Sequence, residues 1–360
     1  DESTGLGEIT HIGTDPNYKS KFDSILKEWG FDPQHFEIEG KVKASSWNTQ
    51  LKGGIVETFY AFKGVVRRRH PERDEWYDEL LKEVSKKKPL KKKKIKSDVA
   101  YIFTLSDWQL GKVDLGVEKT LERYDKALDR AVQEVRQLGS VDEIYLLSMG
   151  DLTEGCYGFY DSQAHNISLN LSQQYHLARK LIMKTVDTFL PYANKIVLSG
   201  VPANHGEMAR SGKGQVVTSR LDNSDTMHLE ICQEIMEQNK RYDKVTVSIP
   251  KGFHHTVEVK GHTVGFTHGH MHSGGTGPEG KIMKWWQGQM FGDFPVGDAE
   301  ILITGHFHHP RMMQQGNRTW FQCPSIDASL DFTARTGMWS KPGVLTFTID
   351  KDGWDNYKIV

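Results

Sequence analysis

The 360-residue sequence contains only three cysteines, Cys156, Cys232 and Cys323, and no CxxC pair. Because they are widely spaced and odd in number, they argue against a disulfide framework and predict a reducing compartment, with the cytoplasm as the expected location. No apolar run approaches the ~18 residues that a membrane-spanning helix needs. The N-terminal stretch is too polar for a secretory signal. We therefore expect a globular protein that does not associate with membranes.

Charge is nearly balanced over the whole chain but unevenly distributed along it. The net charge is −1, whereas the segment from Ala61 to Ser97 carries 14 Lys and Arg against 6 Asp and Glu. That segment therefore has a local charge of +8, and the remainder carries −9. A basic segment next to an acidic body favours a polyanionic partner for the first and bound cations for the second.

A lysine-rich run from Lys86 to Lys94, interrupted by Pro89, divides the chain. Its low complexity predicts a linker rather than a packed element. We predict a small α+β N-terminal module over residues 1–85, a basic linker over 86–97 and a large domain over 98–360. The predicted elements of the module are a helix over Tyr18–Trp29, a β-hairpin of Phe36–Trp47 and Ile55–Val66, and a helix that contains Trp76, Leu80 and Val84.

From Asp98 onward the pattern follows β-α-β-α-β order, which predicts an α/β fold with a parallel sheet. The predicted elements are strand Val99–Leu105, helix Val117–Leu138, strand Ile144–Ser148, helix Leu171–Phe189 and strand Lys195–Leu198. The later half is predicted mainly as strands: Val245–Ile249, His255–Lys260, Thr263–Thr267, Glu300–Thr304, Thr319–Gln322 and Val344–Ile349. Two packed sheets with helices outside them would accommodate both halves.

Five of these strands are followed within a few positions by residues that can bind a metal. The groups are Asp107 with Gln109, Asp151 with Glu154, Asn204 with His205 and Glu207, His268 with His270, and His306 with His308. Taken singly, each is more often a turn, capping or buried polar residue. Ligand sites in α/β sheets gather beyond the carboxyl ends of strands, so the joint pattern predicts one shared metal site. A cysteine-free set of oxygen and imidazole ligands suits Mn²⁺, Mg²⁺, Fe or Zn²⁺.

The order of these groups resembles the calcineurin-like metallophosphoesterases, whose motifs are D-x-H, G-D-x-x-[DE], N-H-[ED], H-G and G-H-x-H. The corresponding segments are Asp107-Trp108-Gln109, Gly150-Asp151-Leu152-Thr153-Glu154, Asn204-His205-Gly206-Glu207, Thr267-His268-Gly269 and Gly305-His306-Phe307-His308. The resemblance covers about residues 98–360. It implies a four-layer α/β/β/α metallophosphoesterase sandwich with two divalent metal ions, of which Mn²⁺ is the expected species.

The resemblance also implies a role for each of these residues. One metal would be held by Asp107, Gln109, Asp151 and His308, and the other by Asp151, Asn204, His268 and His306. Asp151 would bridge the two ions, and His205 would protonate or stabilise the leaving oxygen. Two such ions lower the pKa of a shared water and clamp the attacking and leaving oxygens at phosphorus.

The sequence departs from the family pattern at two positions. Gln109 stands where the family has histidine, and its amide oxygen is a harder and weaker donor than an imidazole nitrogen. We therefore expect a looser metal there, Mn²⁺ or Mg²⁺ rather than Zn²⁺, or a Gln109 that contacts only water on that metal. The second departure is Gly206, which separates His205 from Glu207 and alters the loop.

The substrate class follows from what surrounds the motifs. The segment after Asp151 lacks the arginine of G-D-x-V-D-R-G, and Ala203 stands where an arginine would precede Asn204, which disfavours a protein phosphatase. The SbcD-type nuclease branch tolerates this variation. The basic segment favours DNA, with Arg210, Lys213, Arg220 and Tyr157 as predicted substrate-binding residues. We therefore predict a DNA exo- or endonuclease, and the resemblance to SbcD-type subunits also implies an ATPase or other protein partner.

Two other classes stay open. The first is a small-molecule or nucleotide phosphodiesterase or phosphatase. The second is a non-catalytic nucleic-acid-binding scaffold whose site is degenerate, as the replacement of a family histidine by Gln109 would indicate. Metal content and turnover of bis-p-nitrophenyl phosphate with Mn²⁺ would separate these classes.

Overall fold

The computed structural model of the chain describes residues 6–15, 26–27, 33, 36–68, 73–90, 94–113, 116–160, 163–209, 216–272, 276–328, 333, 337 and 339–360. By its contacts the chain divides into two compact units, Asp1–Tyr77 and Asp78–Val360. Among the described helices, none combines the length and apolar character that crossing a bilayer requires.

The N-terminal unit contains an antiparallel sheet in the order β1-β3-β2. Its strands are β1 (Leu6–Gly13), β2 (Phe36–Gln50) and β3 (Val56–Arg68). Gln50 pairs with Val56, and the intervening turn places Gly53 and Gly54 at positive φ, where glycine is favoured. The predicted hairpin is confirmed. Strand β1 was not predicted, and most of the predicted helix over residues 18–29 lies outside the described residues.

Helix α1 (Arg73–Ser85) crosses the division between the two units. Beyond it, Lys87 Nζ forms an ion pair with Asp187 at 2.7 Å, and the Ile95 N–H donates to Asn194 Oδ1 at 2.9 Å. Residues on both sides of the stretch 91–93 are therefore attached to the body of the larger unit. The contact boundary after Tyr77 lies earlier than the predicted module end at residue 85. The basic linker over 86–97 stays a prediction, and residues 91–93 lie outside the described residues.

The larger unit contains a six-stranded sheet in the order β14-β13-β4-β5-β6-β7. Strands β4 to β7 are parallel, whereas β13 and β14 complete the sheet by antiparallel pairing. The parallel part confirms the prediction from β-α-β order. The strands are β4 (Ala100–Ser106), β5 (Val141–Gly150), β6 (Ala193–Gly200), β7 (Val245–Ser248), β13 (Leu345–Asp350) and β14 (Gly353–Ile359).

A second, five-stranded sheet has the order β11-β12-β10-β9-β8. Its strands are β8 (His254–Val259), β9 (His262–Thr267), β10 (Ile301–Thr304), β11 (Arg311–Gln315) and β12 (Arg318–Gln322). The two sheets pack face to face, because buried residues of both form one apolar cluster. Its members include Ile102 and Leu147 from the first sheet and Phe266, Ile303 and Phe321 from the second.

Helices cover the outer faces of both sheets. Phe103, which alternates in direction with Ile102 along β4, packs against Tyr124 and Phe189 with ring centroids 6.3 and 5.2 Å away. On the second sheet, Trp286 shares a separate buried cluster with Leu302. The predicted four-layer α/β/β/α architecture is confirmed. The helices are α2 (Val117–Gln137), α3 (Leu171–Phe189), α4 (Ser224–Glu237) and α5 (Gly277–Phe291).

Candidate metal centre

The carboxyl ends of strands from both sheets meet at one place. Asp107 and Asp151 follow β4 and β5 of the six-stranded sheet, while His268 follows β9 of the other sheet. The His268 ring nitrogen Nδ1 lies 2.7 Å from the Met149 carbonyl oxygen, and the His306 N–H donates to the Asp107 carboxylate at 3.2 Å. These contacts join the sheets where the sequence predicts a shared site.

Several predicted ligands occupy the left-handed backbone region. The φ angles of Asp107, Gln109, Asp151, His306 and His308 are 51°, 44°, 52°, 69° and 59°. Residues other than glycine rarely adopt these angles, and such conformations cluster at functional sites. Hydrogen bonds between the loops hold them: the N–H groups of Asp107 and Gln109 donate to the carbonyls of Gly150 and Asp151, both at 3.0 Å.

One group of donors surrounds His268. Its Nδ1 faces a carbonyl oxygen, which can only accept, so Nδ1 carries the hydrogen. The other nitrogen, Nε2, lies 2.9 Å from Asn204 Oδ1 and 3.1 Å from Asp151 Oδ2. If Nε2 carries no hydrogen it is an acceptor too, so the three acceptors converge on a point where they can share one cation, either a proton on Nε2 or a bound metal ion. Ligand atoms of Asp151, His268 and His306 lie within 4.8 Å of one another, as a metal site requires.

Electrostatics in this group favour one additional positive charge. Burial disfavours a charged His268, but the neighbouring carboxylates, led by Asp151, together outweigh burial and raise the pKa of His268 to about 9. Burial, followed by the positive charge of His268, lowers the pKa of His306 to about 3. Burial opposes the charge of Asp151 as well, yet His268 and His205 hold the pKa of that carboxyl well below its usual range. A buried anion among imidazoles is a donor set suited to a divalent metal.

A second group lies around Asp107, which is fully buried. His308 Nε2 is 3.2 Å from Asp107 Oδ1, and Ser106 Oγ–H donates to Oδ2 of the same carboxylate. Gln109 is also present, with Nε2 3.5 Å from His308 Nε2. Its oxygen, however, accepts a hydrogen bond from Lys112 Nζ at 3.1 Å. The structure therefore brings together all the predicted ligands, but it directs the Gln109 oxygen toward a lysine.

His205 is positioned by the same loops. Its backbone N–H donates to Asp151 Oδ1 at 2.8 Å, and its Nδ1 lies 2.7 Å from the carbonyl oxygen of Glu154. The ring stacks on Phe159 with centroids 4.4 Å apart and planes inclined by 7°. Because the Glu154 carbonyl accepts the Nδ1 hydrogen, Nε2 is the ring nitrogen left for proton transfer. The aromatic at 159 thus supports His205.

Asp225 is a buried residue of the site that sequence reasoning missed. Its carboxylate accepts from the N–H groups of Asp151 and Leu152 at 3.1 and 3.0 Å. Burial, and then the negative charge of Asp151, raise the pKa of Asp225 to about 7. A Cβ at Gly206 would overlap with Asn223 and Asp225, so the second departure from the family pattern reflects close packing. The Asn223 cap at the start of α4 was the available signal for this acid.

His270 was noted only as part of a motif, and it also adjoins the site. Its ring centroid is 5.3 Å from that of His268. Neither ring nitrogen has a hydrogen-bond partner among the described residues. Burial, and then the positive charge of His268, lower the pKa of His270 to about 2. A third neutral imidazole therefore lies next to the donor group.

Only two of the four predicted substrate-binding residues are described by the structure. Arg210 and Lys213 lie outside the described residues. Arg220 forms an ion pair with the buried carboxylate of Glu207 at 2.6 Å and keeps 44% of its side chain exposed. Tyr157 is 58% exposed. Of the four, two are therefore described, and only Tyr157 presents a largely open side chain.

Comparisons with known proteins reveal similar solved structures of low identity. They include an archaeal phosphodiesterase (12% identity, 72% of this chain and 99% of that chain, TM-score 0.33), a hypothetical protein of Pyrococcus horikoshii OT3 (10%, 72% and 88%, 0.36) and Vps29 of Entamoeba histolytica complexed with zinc (12%, 72% and 98%, 0.30). At these values the likenesses carry no argument about activity. No protein-family model and no curated protein matches the sequence.

Proposed function

We propose that this chain is a metal-dependent phosphoesterase that hydrolyses phosphodiester bonds, with DNA as its substrate. The convergence of acceptor atoms from Asp151, Asn204 and His268 is the observation that carries this proposal. Three acceptors that meet inside a protein can share a cation, and a divalent ion held by these strand-end residues would take the place of the proton on His268.

Asp151, Asn204, His268 and His306 would hold one divalent ion, and Asp107 and His308 would contribute to a second. When bound, such ions lower the pKa of water and offset negative charge on the phosphoryl oxygens. The donor set fits Mn²⁺, Mg²⁺, Fe or Zn²⁺, and Mn²⁺ is the species we propose because oxygen donors are prominent. Asp151 contributes both its charge and, through Oδ1, the position of His205.

His205 would donate a proton to the leaving oxygen. Its Nδ1 is engaged by the Glu154 carbonyl, and the Phe159 ring restricts its rotation. A ring fixed in this way keeps Nε2 at a constant position relative to the Asp151 loop. General acids that are held in place contribute typically ~10²–10⁴-fold to a rate.

DNA is the proposed substrate because the segment from Ala61 to Ser97 carries a local charge of +8 from 14 basic and 6 acidic residues. Basic side chains gain affinity for nucleic acid by neutralising backbone phosphates. The exposed ring of Tyr157 is available to stack on an unpaired base, and Arg210, Lys213 and Arg220 would contact phosphates. An ATPase or other protein partner, and a cytoplasmic location, belong to the same proposal.

The test uses the full chain, stripped of metal and then supplied separately with Mn²⁺, Mg²⁺ or Zn²⁺. We expect metal-dependent turnover of bis-p-nitrophenyl phosphate, and cleavage within a panel of single-stranded, double-stranded and hairpin DNAs. Turnover of a nucleotide diester without DNA cleavage would instead indicate a small-molecule phosphodiesterase. DNA binding without turnover of any ester would indicate a scaffold and overturn the proposed activity.

A further inference from the structure

The side chain of Gln109 is fixed by an ion pair outside the ligand set. Lys112 Nζ donates to Gln109 Oε1 at 3.1 Å and forms an ion pair with Asp327 Oδ2 at 2.9 Å. The side chains of Lys112 and Asp327 are only 15% and 4% exposed. Two charges buried at this depth are held in one geometry more firmly than a surface pair.

This contact determines which end of the carboxamide faces the metal centre. An ammonium group only donates hydrogen bonds, so the Gln109 atom that it meets must be the oxygen. The amide nitrogen is then the end that lies 3.5 Å from His308 Nε2. An NH₂ group has no lone pair to offer a cation, so Gln109 in this orientation cannot serve as a ligand.

The ion pair is itself anchored to the site. The Asp327 N–H donates to Ser325 Oγ at 2.9 Å, and that hydroxyl donates to the Asp107 carbonyl at 2.8 Å. On the other side, the Lys112 N–H donates to the Gln109 carbonyl at 3.3 Å. Lys112 and Asp327 are 215 residues apart in the chain, yet both are tied to the Asp107–Gln109 loop.

We propose that Lys112, held by Asp327, keeps the Gln109 oxygen turned away from the metal centre, so that the two metal positions bind with unequal affinity. This inference rests on the proposed function, because it assumes that the centre binds divalent ions. The position at Asp151, Asn204, His268 and His306 keeps four protein donors. The position at Asp107, Asp151 and His308 keeps three.

Calorimetric titration of the metal-free protein with Mn²⁺ tests this inference without measuring activity. We expect one tight and one weak binding event, separated by at least about tenfold, since residues that orient metal ligands control affinity by ~10–100-fold. Gln109→Ala should leave both events unchanged. If Gln109 is a direct ligand, the same variant should instead abolish the second event.

Releasing Gln109 should tighten the weak event. The double variant Lys112→Met with Asp327→Asn frees the oxygen without leaving a carboxylate buried alone, and we expect about tenfold tighter binding at the weak position. Lys112→Arg should resemble the wild type, because it keeps the charge and the donors. The matched control is Lys260→Met with Asp142→Asn, which removes another ion pair of the same unit (Nζ to Oδ2) and should change neither event.

The outcomes separate this inference from the proposed function. Two binding events of equal affinity, or loss of the second event in Gln109→Ala, would overturn the inference and leave the phosphoesterase proposal standing. Absence of any Mn²⁺ binding to a folded wild-type protein would overturn both. If the double variant fails to fold, as circular dichroism would show, Gln109→Ala and Lys112→Arg still decide the question.

Discussion

The backbone N–H of His205 donates to Oδ1 of Asp151 at 2.8 Å. The other oxygen of this carboxylate, Oδ2, lies 3.1 Å from Nε2 of His268 in the donor group. One buried acid therefore positions the proposed proton donor with one oxygen and offers the other to a metal. The geometry of His205 depends on the same side chain that contributes charge to the metal centre.

Asp151→Asn should separate these two tasks of the carboxylate. The amide oxygen can still accept the His205 N–H, so the fold should persist, whereas the negative charge is lost. Loss of a residue that only orients a metal ligand typically lowers metal affinity by ~10–100-fold. We expect a larger fall for Asp151→Asn, and we expect phosphoester hydrolysis to be abolished. Bound Mn²⁺ after dialysis, turnover of bis-p-nitrophenyl phosphate and the melting temperature would be measured together.

Asp352→Asn is the matched control for this change. The Asp352 side chain is 77% exposed, and its substitution removes the same charge far from any predicted ligand. It should behave as the wild type in all three measurements. Near-normal turnover by Asp151→Asn at saturating Mn²⁺ would contradict the two-metal proposal.

Gly206→Ala should destabilise the protein through a steric clash. A Cβ at this position would overlap with Asn223 Oδ1 and Asp225 Oδ2, and both acceptors are held at the start of α4. Overpacking of a closely packed site typically costs ~1–3 kcal/mol. Thermal or urea unfolding of metal-free protein would measure this loss.

Gly288→Ala should have the opposite effect on stability, measured in the same way. Gly288 lies inside helix α5, and its added Cβ would have nothing within 4 Å. Alanine there should stabilise the protein by ~0.4–1 kcal/mol, because it restricts the unfolded chain. Equal effects of the two substitutions would show that the Gly206 loop relaxes easily around a methyl group.

The sequence predicts the ligands of the centre better than the residues that orient them. Asp107, Asp151 and His268 directly follow apolar strands. Because ligand sites in α/β folds form beyond the carboxyl ends of strands, this position alone predicts that the three residues lie together. Lys112 and Asp327 interact across 215 residues, and neither belongs to a motif. Their pairing results from folding of the loops, which no local pattern encodes.

The elements of the fold that the sequence analysis missed have weak local patterns. Strands β11 and β14 lie at sheet edges, and their residues are mostly partly buried or exposed, so apolar alternation is weak. Helix α5 contains several glycines, which lower its intrinsic helix propensity. Burial of Ile282 and Trp286 against the second sheet supplies the stability that local preference does not.

Neutralising Lys91 to Lys94 should weaken DNA binding and flatten its dependence on salt. Each basic side chain that neutralises a phosphate adds ~0.9 to the slope of log affinity against log salt on duplex DNA. Turnover of the small diester bis-p-nitrophenyl phosphate should change little, because that ester has no extended backbone. Fluorescence anisotropy of labelled DNA at several salt concentrations would give the slope.

Substitution of Lys119 and Lys126 by glutamine is the control for the basic segment. Both lysines are exposed on helix α2, so their loss lowers the net charge without touching the segment. A salt slope that is unchanged after neutralising Lys91 to Lys94 would show that these lysines do not contact DNA and that the segment only connects the two parts of the chain.

His205→Ala should affect chemistry more than binding, and by an amount that depends on the leaving group. The ring touches the Glu154 carbonyl and Phe159, and only its backbone N–H contacts Asp151, so both metal positions should survive the substitution. A sugar alkoxide needs a proton as it leaves, whereas a nitrophenolate needs little. We therefore expect DNA cleavage to lose ~10²–10⁴-fold in kcat, and nitrophenyl ester cleavage to lose much less.

Metal stoichiometry and both rates would be measured on one preparation of His205→Ala. His165→Ala is the control, because that histidine is exposed at the end of a short 3₁₀ helix and its loss should leave every quantity unchanged. Unaltered affinity for DNA together with a selective loss of DNA cleavage would support the proton donor, since an interaction made only in the transition state lowers kcat without weakening the substrate complex. Loss of one metal ion, or equal damage to both substrates, would make His205 a ligand or a structural residue instead.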